Sequence, residues 1–273
     1  VSLLDVVGGS DALGGMAALK QPPPVPRRRF ISALGAPVGL PRHTTVAIED
    51  RPLLLGTTED EGAFFVALAF PVPMTRVVYW STITLLFKTA ARAVLRLYAP
   101  LVPSDARSAG YDYRRALSVV LTDYMFRCPA RRLATRLRSE PRTSPIFMYR
   151  FTQASNHTPI KPCLGLACHT MELPFLFHQP EEGLAFDRDE FQLSHTMLGA
   201  WAAFAKTGGQ PSLPLDTRQG AGLSSEAKIA KWPPWTIDTG ATLDLRWVPR
   251  LDLIGETVCD PVCDYWDTTG YRF

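Results

Sequence analysis

Two short apolar runs limit most strongly what this chain can become. Pro52-Leu53-Leu54-Leu55-Gly56-Thr57-Thr58 is closed by Gly56 and runs into the acidic turn Glu59-Asp60-Glu61-Gly62. Pro145-Ile146-Phe147-Met148-Tyr149-Arg150-Phe151 is rich in apolar and aromatic side chains. Both read as buried strands of the kind found inside a parallel sheet. Helical patterning lies between them. Leu86, Ala90, Ala93, Val94 and Leu97 predict one helix over Trp80 to Tyr98, with Lys88, Arg92 and Arg96 on its solvent side. Further helices are expected at Tyr113 to Phe126, at Pro129 to Leu137, and from Asp189 to Lys206, the last stopping at Gly208-Gly209. Trp232-Pro233-Pro234-Trp235 marks a turn, and Thr242 to Arg246 and Arg250 to Ile254 are expected to pair as edge strands. Strands separated by helices indicate an α/β sheet. These strands are too few for a complete doubly wound sheet, so part of the sheet is expected outside this chain.

Composition adds limits rather than identity. The chain has 273 residues, 46% hydrophobic and 20% charged, enough to bury a sizeable core. The net charge of +3 is weak, and the local basic runs Arg27-Arg28-Arg29 and Arg127 to Arg138 read as solvated faces, so no nucleic-acid partner is expected. No window of 18 apolar residues exists, so no transmembrane helix is expected. Val1 to Gly9 lacks the features of a signal peptide, and the chain does not begin with Met, which is read as a missing N-terminus. The compartment is not specified. Residues 1–27 form a Gly- and Pro-rich lead-in ending in the stiff Pro22-Pro23-Pro24-Val25-Pro26, with a short helix expected around Leu13 to Lys20. An irregular stretch follows from Phe30 to His43, and residues 28–273 form the main region. The five cysteines, Cys128, Cys163, Cys168, Cys259 and Cys263, lack the close pairs of a zinc site. No metal or cofactor is expected, and the cysteine count leaves room for one or two disulfides. Asn156-His157-Thr158 is a glycosylation sequon.

Active sites in open α/β sheets collect at the carboxyl ends of strands. Glu61 lies just past the first run and His169 on the loop after the second. A carboxylate can hold an imidazole in the tautomer whose free nitrogen faces a nucleophile, and it stabilises the imidazolium that forms. The bland alternatives are a solvated acidic turn and a structurally satisfied histidine.

The flanking residues favour the first reading. Leu54-Leu55-Gly56-Thr57-Thr58-Glu59-Asp60-Glu61-Gly62-Ala63-Phe64-Phe65 is similar to the segment of type-B carboxylesterases and cholinesterase-like proteins in which the glutamate before Gly is the triad acid. Gly165-Leu166-Ala167-Cys168-His169-Thr170-Met171-Glu172-Leu173-Pro174-Phe175-Leu176-Phe177 resembles that family's histidine segment. The acid precedes the histidine by 108 residues, in the order of α/β-hydrolases. Thr122 to Arg131 resembles a D-x-x-F-x-C-P-x-R helix start, Leu198 to Gly209 a W-x-x-F-A-K-T-G helix, Trp232 to Trp235 a W-P-x-W turn, and Cys263-Asp264-Tyr265-Trp266-Asp267 a C-x-F-W-D end. The resemblance runs collinearly over about residues 28 to 273. It implies the C-terminal part of an α/β-hydrolase fold, with an incomplete, mostly parallel sheet, and a serine carboxylesterase acting on carboxylic esters through a Ser-His-Glu triad. Glu61 and His169 would be catalytic. Glu172 is read as starting a helix or satisfying buried backbone donors, Asp123 as structural, and Cys168 as no nucleophile.

The serine is missing from this picture. Such enzymes carry it on a G-x-S-x-G turn, with backbone donors for the oxyanion. The nearest string, Gly8-Gly9-Ser10-Asp11-Ala12, ends in Ala, and Ser10 lies only 51 residues before Glu61. Ser10 is therefore set aside, and the nucleophile-bearing N-terminal half is expected elsewhere. The chain alone is expected to be inert, and to dock against that half or another subunit. The alternative is a catalytically inactive interaction module.

Overall fold

The computed structural model describes residues 49–102, 110–154, 158, 160–180, 184–211, 232–247, 250–252 and 260–271. The lead-in of residues 1–27, the helix expected at Leu13 to Lys20, the stretch Phe30 to His43, Ser10, Asn156 of the sequon and Cys259 lie outside the described residues. Among those described, no helix is long and apolar enough to cross a membrane.

Both apolar runs are strands. β1 (Leu53–Thr58) pairs in parallel with β2 (Ile146–Phe151), Leu54 opposite Phe147 and Thr58 opposite Phe151. β3 (Thr242–Leu245) adds to the other edge of β2 in parallel, and β4 (Arg250–Asp252) pairs antiparallel with β3. The order is β1-β2-β3-β4. The expectation that Thr242 to Arg246 would be an edge strand is corrected, because β3 is paired on both sides. Among the described residues β1 and β4 are the edges, and β1 up to Thr57 is only half-buried rather than buried. The period of two explains the layers. Phe147, Phe151, Leu243 and Leu245 pack on one face of the sheet, and Ile146 and Met148 on the other.

The β1–β2 crossover carries most of the helices. α1 (Glu61–Ala69) follows the acidic turn directly. α2 (Arg76–Phe87) starts four residues earlier than expected, where the Thr75 hydroxyl accepts the Val78 N–H. The single helix expected over Trp80 to Tyr98 is in fact two. Lys88 adopts φ 47°, a 3₁₀ turn covers Lys88–Ala90, and α3 (Ala91–Leu97) resumes in a new direction. The apolar stripe is corrected accordingly: Tyr79, Ile83, Ala91 and Val94 are buried, while Leu86 and Ala93 are exposed. α4 (Arg114–Thr122) and α5 (Cys128–Ser139) form one continuous helix through a π turn at Asp123–Arg127, not two helices with a break. Pro129 directly follows the π turn, whose wider pattern shows in the Cys128 N–H bonding to the Asp123 carbonyl, and the helix runs on through it.

After β2 come the short α6 (Leu173–Leu176) and the long α7 (Arg188–Thr207). A capping box starts α7. The Asp187 carboxylate accepts the Glu190 N–H at 2.8 Å, and the Glu190 carboxylate accepts the Asp187 N–H at 3.0 Å. Gly208 ends it at φ 63°. Trp232 to Trp235 is not a turn. Both indoles are buried on the sheet, the Trp232 Nε1–H donates to the Met148 carbonyl at 3.1 Å, and the chain turns only at Ile237–Thr239. α8 (Pro261–Thr269) closes the helical layer, its Asp260 cap accepting the Val262 and Cys263 N–H groups.

A buried network joins α8 to the π turn. The Trp266 indole donates to the Tyr98 hydroxyl at 2.9 Å, Tyr98 donates to Asp123 at 3.0 Å, and Arg127 bridges Asp123 and Asp260. Arg131 pairs with Asp264. Arg127 and Arg131 are therefore inter-helix ties rather than members of a solvated basic face. Asp123 is structural, as expected. The Cys128–Cys263 disulfide sits in the same place and closes a span of 135 residues. A link over so long a span removes much unfolded-state freedom. Cys128→Ala/Cys263→Ala is expected to lower stability by about 2–5 kcal/mol, read as a lower urea midpoint for the full chain; an unchanged midpoint would refute this role.

Candidate functional site

The parallel pairing of β1 and β2 brings their carboxyl ends together, and the segments leaving them meet there. The Glu59 N–H still donates to the Phe151 carbonyl at 2.9 Å, as if the ladder continued one step. Glu61 follows as the first residue of α1. Its carboxylate is 5% exposed. One oxygen, Oε1, accepts the Thr58 N–H at 2.8 Å, and the other, Oε2, lies 2.5 Å from His169 Nδ1. The two candidate residues, 108 positions apart, are thus in direct contact.

Gly62 makes this placement possible. Its N–H donates to Thr122 Oγ1 at 2.9 Å, and a Cβ there would stand 2.3 Å from the Ser118 carbonyl oxygen. Only glycine lets α1 lie so close on α4, and that approach sets where Glu61 begins its helix.

Asp60 is the residue that sequence reasoning missed. It carries no motif of its own and reads as part of a solvated acidic turn. It is in fact 6% exposed, and its carboxylate pairs with Arg115 of α4. It also holds the histidine loop: its carboxylate accepts the Ala167 N–H at 3.0 Å, and its own N–H donates to the Ala167 carbonyl at 2.9 Å. A single β-bridge aligns Asp60 with Cys168. Asp60 precedes Glu61, and Ala167 and Cys168 precede His169, so one rung fixes the next.

The His169 ring packs against Phe65, at 5.1 Å between centroids, and Phe126, at 5.3 Å, which stack on each other at 6.0 Å. Its side chain remains 36% exposed. With Nδ1–H donated to a carboxylate, the neutral ring carries its lone pair on Nε2, which makes no hydrogen bond among the described residues. The arrangement can therefore take a proton at Nε2 and hold the resulting positive charge against Glu61.

Cys168, beside the histidine, is bonded to Cys163, so it offers no thiolate. A second Ser–His contact, Ser194 Oγ to His178 Nδ1 at 2.8 Å, is structural. Ser194 is fully buried, and its hydroxyl proton is committed to the Phe175 carbonyl at 2.6 Å. Glu172 precedes α6, as expected of a helix start, yet its side chain caps nothing. The expected service to buried backbone donors is also incomplete, since Oε2 is buried without a hydrogen-bond partner among the described residues. Burial, with the nearby Glu61 charge adding to it, holds the Glu172 carboxyl above the ordinary glutamate range. Burial likewise pushes the Tyr149 phenol up, reinforced by Glu172 and Glu61.

Two stability predictions follow from this geometry. Thr170, next to His169, is a β-branched residue at φ 71°. Such strain costs on the order of 1–3 kcal/mol, against roughly 0.5–1 kcal/mol for the added unfolded-state freedom of glycine. Thr170→Gly is therefore expected to raise stability by about 1 kcal/mol, read from the urea midpoint, and a lower midpoint would contradict it. For Glu172, the folded chain keeps its proton at pH values where the unfolded chain has lost it. Stability then falls as pH rises from the ordinary glutamate pKa toward the folded one. Glu172→Gln should abolish that slope, matching the parent in acid and exceeding it at neutral pH by on the order of 1 kcal/mol. Parallel pH–stability curves would exclude this account.

Comparison with known proteins agrees with the fold. The model of the Carboxylesterase family matches residues 23–256. The chain is 30% identical over 227 residues to the crystal protein of Dictyostelium discoideum, covering 82% of this chain and 38% of that protein. It is 33% identical over 195 residues to the para-nitrobenzyl esterase of Bacillus subtilis, covering 67% of this chain and 36% of that one. The solved structure of a thermophilic PNB esterase superposes with a TM-score of 0.50 at 26% identity, over 80% of this chain and 38% of that one. The chain thus spans less than two-fifths of the length of these relatives, and its sheet and flanking helices form part of an α/β-hydrolase fold. With the family model matched over most of its length, the chain belongs to the carboxylesterase family.

Proposed function

We propose that the chain supplies the acid and the histidine of a Ser-His-Glu triad in a carboxylic ester hydrolase, Glu61 orienting His169. The 2.5 Å contact between Glu61 Oε2 and His169 Nδ1, at the carboxyl ends of parallel strands, carries this reading. The nucleophilic serine and the oxyanion donors come from a segment outside the described residues. In that assembly Nε2 takes the serine proton as Oγ attacks the ester carbonyl, and Glu61 stabilises the imidazolium. His169 then gives the proton to the leaving alcohol, and it activates the water that hydrolyses the acyl-enzyme. No metal or cofactor enters these steps.

The complementary half docks along β1. That strand is an edge among the described residues and is only half-buried, and an unpaired edge invites a further strand. The whole protein is expected to cleave a para-nitrobenzyl ester, the substrate class named for the Bacillus relative. His169→Ala and Glu61→Gln should each lower kcat on the order of 10³–10⁴-fold, and this chain without the serine-bearing segment should show no turnover. Unchanged turnover in both variants would sink the proposal.

A second reading, a non-catalytic interaction module, is favoured by one observation: no serine among the described residues bonds to His169. Labelling of a serine in the whole protein by a fluorophosphonate probe, lost in His169→Ala, would exclude it.

A further inference from the structure

The Cys163–Cys168 disulfide ends one residue before His169. Both residues are fully buried. Their sequence separation is 5, against 135 for Cys128–Cys263, so the small ring restricts the unfolded chain far less. Its main effect is local. The two ends of the loop it closes are buried, but its tip is open. Leu164 is 50% exposed, Gly165 turns the chain at φ 74°, and a Cβ on Gly165 would meet nothing within 4 Å. Within the ring the Leu166 N–H donates to the Cys163 carbonyl at 3.0 Å. Outward, the loop is attached through Ala167 and Cys168 to Asp60, and through the Cys168 carbonyl to the Met171 N–H at 3.1 Å. His169 sits between those two attachments. A contact as short as 2.5 Å does not survive a shift of about 1 Å in the backbone that carries one partner.

We propose that Cys163 and Cys168 are positioning residues for His169: their disulfide seats Ala167 and Cys168 on Asp60 and so maintains the Glu61–His169 hydrogen bond. The effect on turnover rests on the catalytic reading above; the effect on the hydrogen bond does not. Opening the link needs a reductant. A dithiol gives two electrons, the S–S bond breaks, each sulfur takes a proton, and the dithiol leaves as its own disulfide. Because both cysteines are buried, the loop must open before the reductant reaches them.

The test uses the full chain with ¹⁵N-labelled histidine. The oxidised protein should show a far-downfield Nδ1–H resonance, identified as that of His169 by its absence in Glu61→Gln. In Cys163→Ala/Cys168→Ala the proton should exchange with water at least about tenfold faster, or its signal should vanish, as expected when a positioning contact is lost. Cys128→Ala/Cys263→Ala should retain it, since that link acts on global stability. An unchanged signal and exchange rate in the folded Cys163→Ala/Cys168→Ala variant overturns the proposal. Should that variant fail to fold, dithiothreitol added to the folded Cys128→Ala/Cys263→Ala protein, which keeps the Cys163–Cys168 link, decides the matter. Loss of the signal in step with the appearance of two thiols, reversed on reoxidation, supports the clamp, and persistence after both thiols have appeared refutes it. In the whole protein the same variant should lose kcat with little change in KM. If His169→Ala leaves turnover intact while the resonance still depends on the disulfide, the catalytic reading fails and the clamp stands.

Discussion

One aspartate holds together two segments 107 residues apart. Asp60 accepts a backbone N–H from Ala167, donates its own to the same residue, and keeps its buried charge neutralised by Arg115. Burying a carboxylate at 6% exposure is costly unless its oxygens are bonded. Here the bonds that satisfy it are those that join the acid segment to the histidine loop. The Glu61–His169 contact comes one step later along both chains and inherits its register from this rung. Asp60 in turn depends on the parallel pairing of β1 with β2, because only parallel strands send both following segments out at the same end of the sheet.

The helical layer supplies the other half of the placement. α4 presents Ser118 and Thr122 to Gly62 and Arg115 to Asp60, so one helix face positions Asp60 and the start of the helix that carries Glu61. The π turn at Asp123–Arg127 continues that helix and brings Phe126 against the His169 ring. It is itself fastened from behind by Tyr98, Trp266 and Arg127 and by the Cys128–Cys263 link. The distant disulfide and the site therefore share a support, although the disulfide touches neither Glu61 nor His169.

Much of this was legible in the residues, and the failures have physical causes. Strands β1 and β2 and the ends of α7 followed from apolar runs and from Gly208, since those signals are local. Glu61 and His169 stood out through their flanking motifs. The split between α2 and α3 did not, because Lys88 at φ 47° is a choice forced by tertiary packing on a residue with no preference for it. The continuous α4–α5 helix was hidden by Cys128-Pro129, which reads as a boundary yet follows a π turn through which the helix continues. β3 looked like an edge because a four-residue strand carries no mark of how many neighbours it has. Asp60 escaped because its importance lies in contacts across the fold, which no local pattern encodes.

The described residues also form an uneven half of a structure. β3 and β2 are covered on both faces and paired on both edges, whereas β1 is half-buried and paired on one edge. Yet Glu61, placed directly after β1, is among the best-fixed groups, with both carboxylate oxygens bonded. The acid is held by the Thr58 N–H at the end of β1 and by the histidine loop, with α4 packed on Gly62, not by whatever pairs beyond β1. The Glu61–His169 unit is therefore preorganised before any further strand is added, and the energy of docking that strand need not be used to assemble it. On the proposed reading, docking contributes the approach of a nucleophile to an Nε2 whose ring is already held by the buried carboxylate and packed against Phe65 and Phe126.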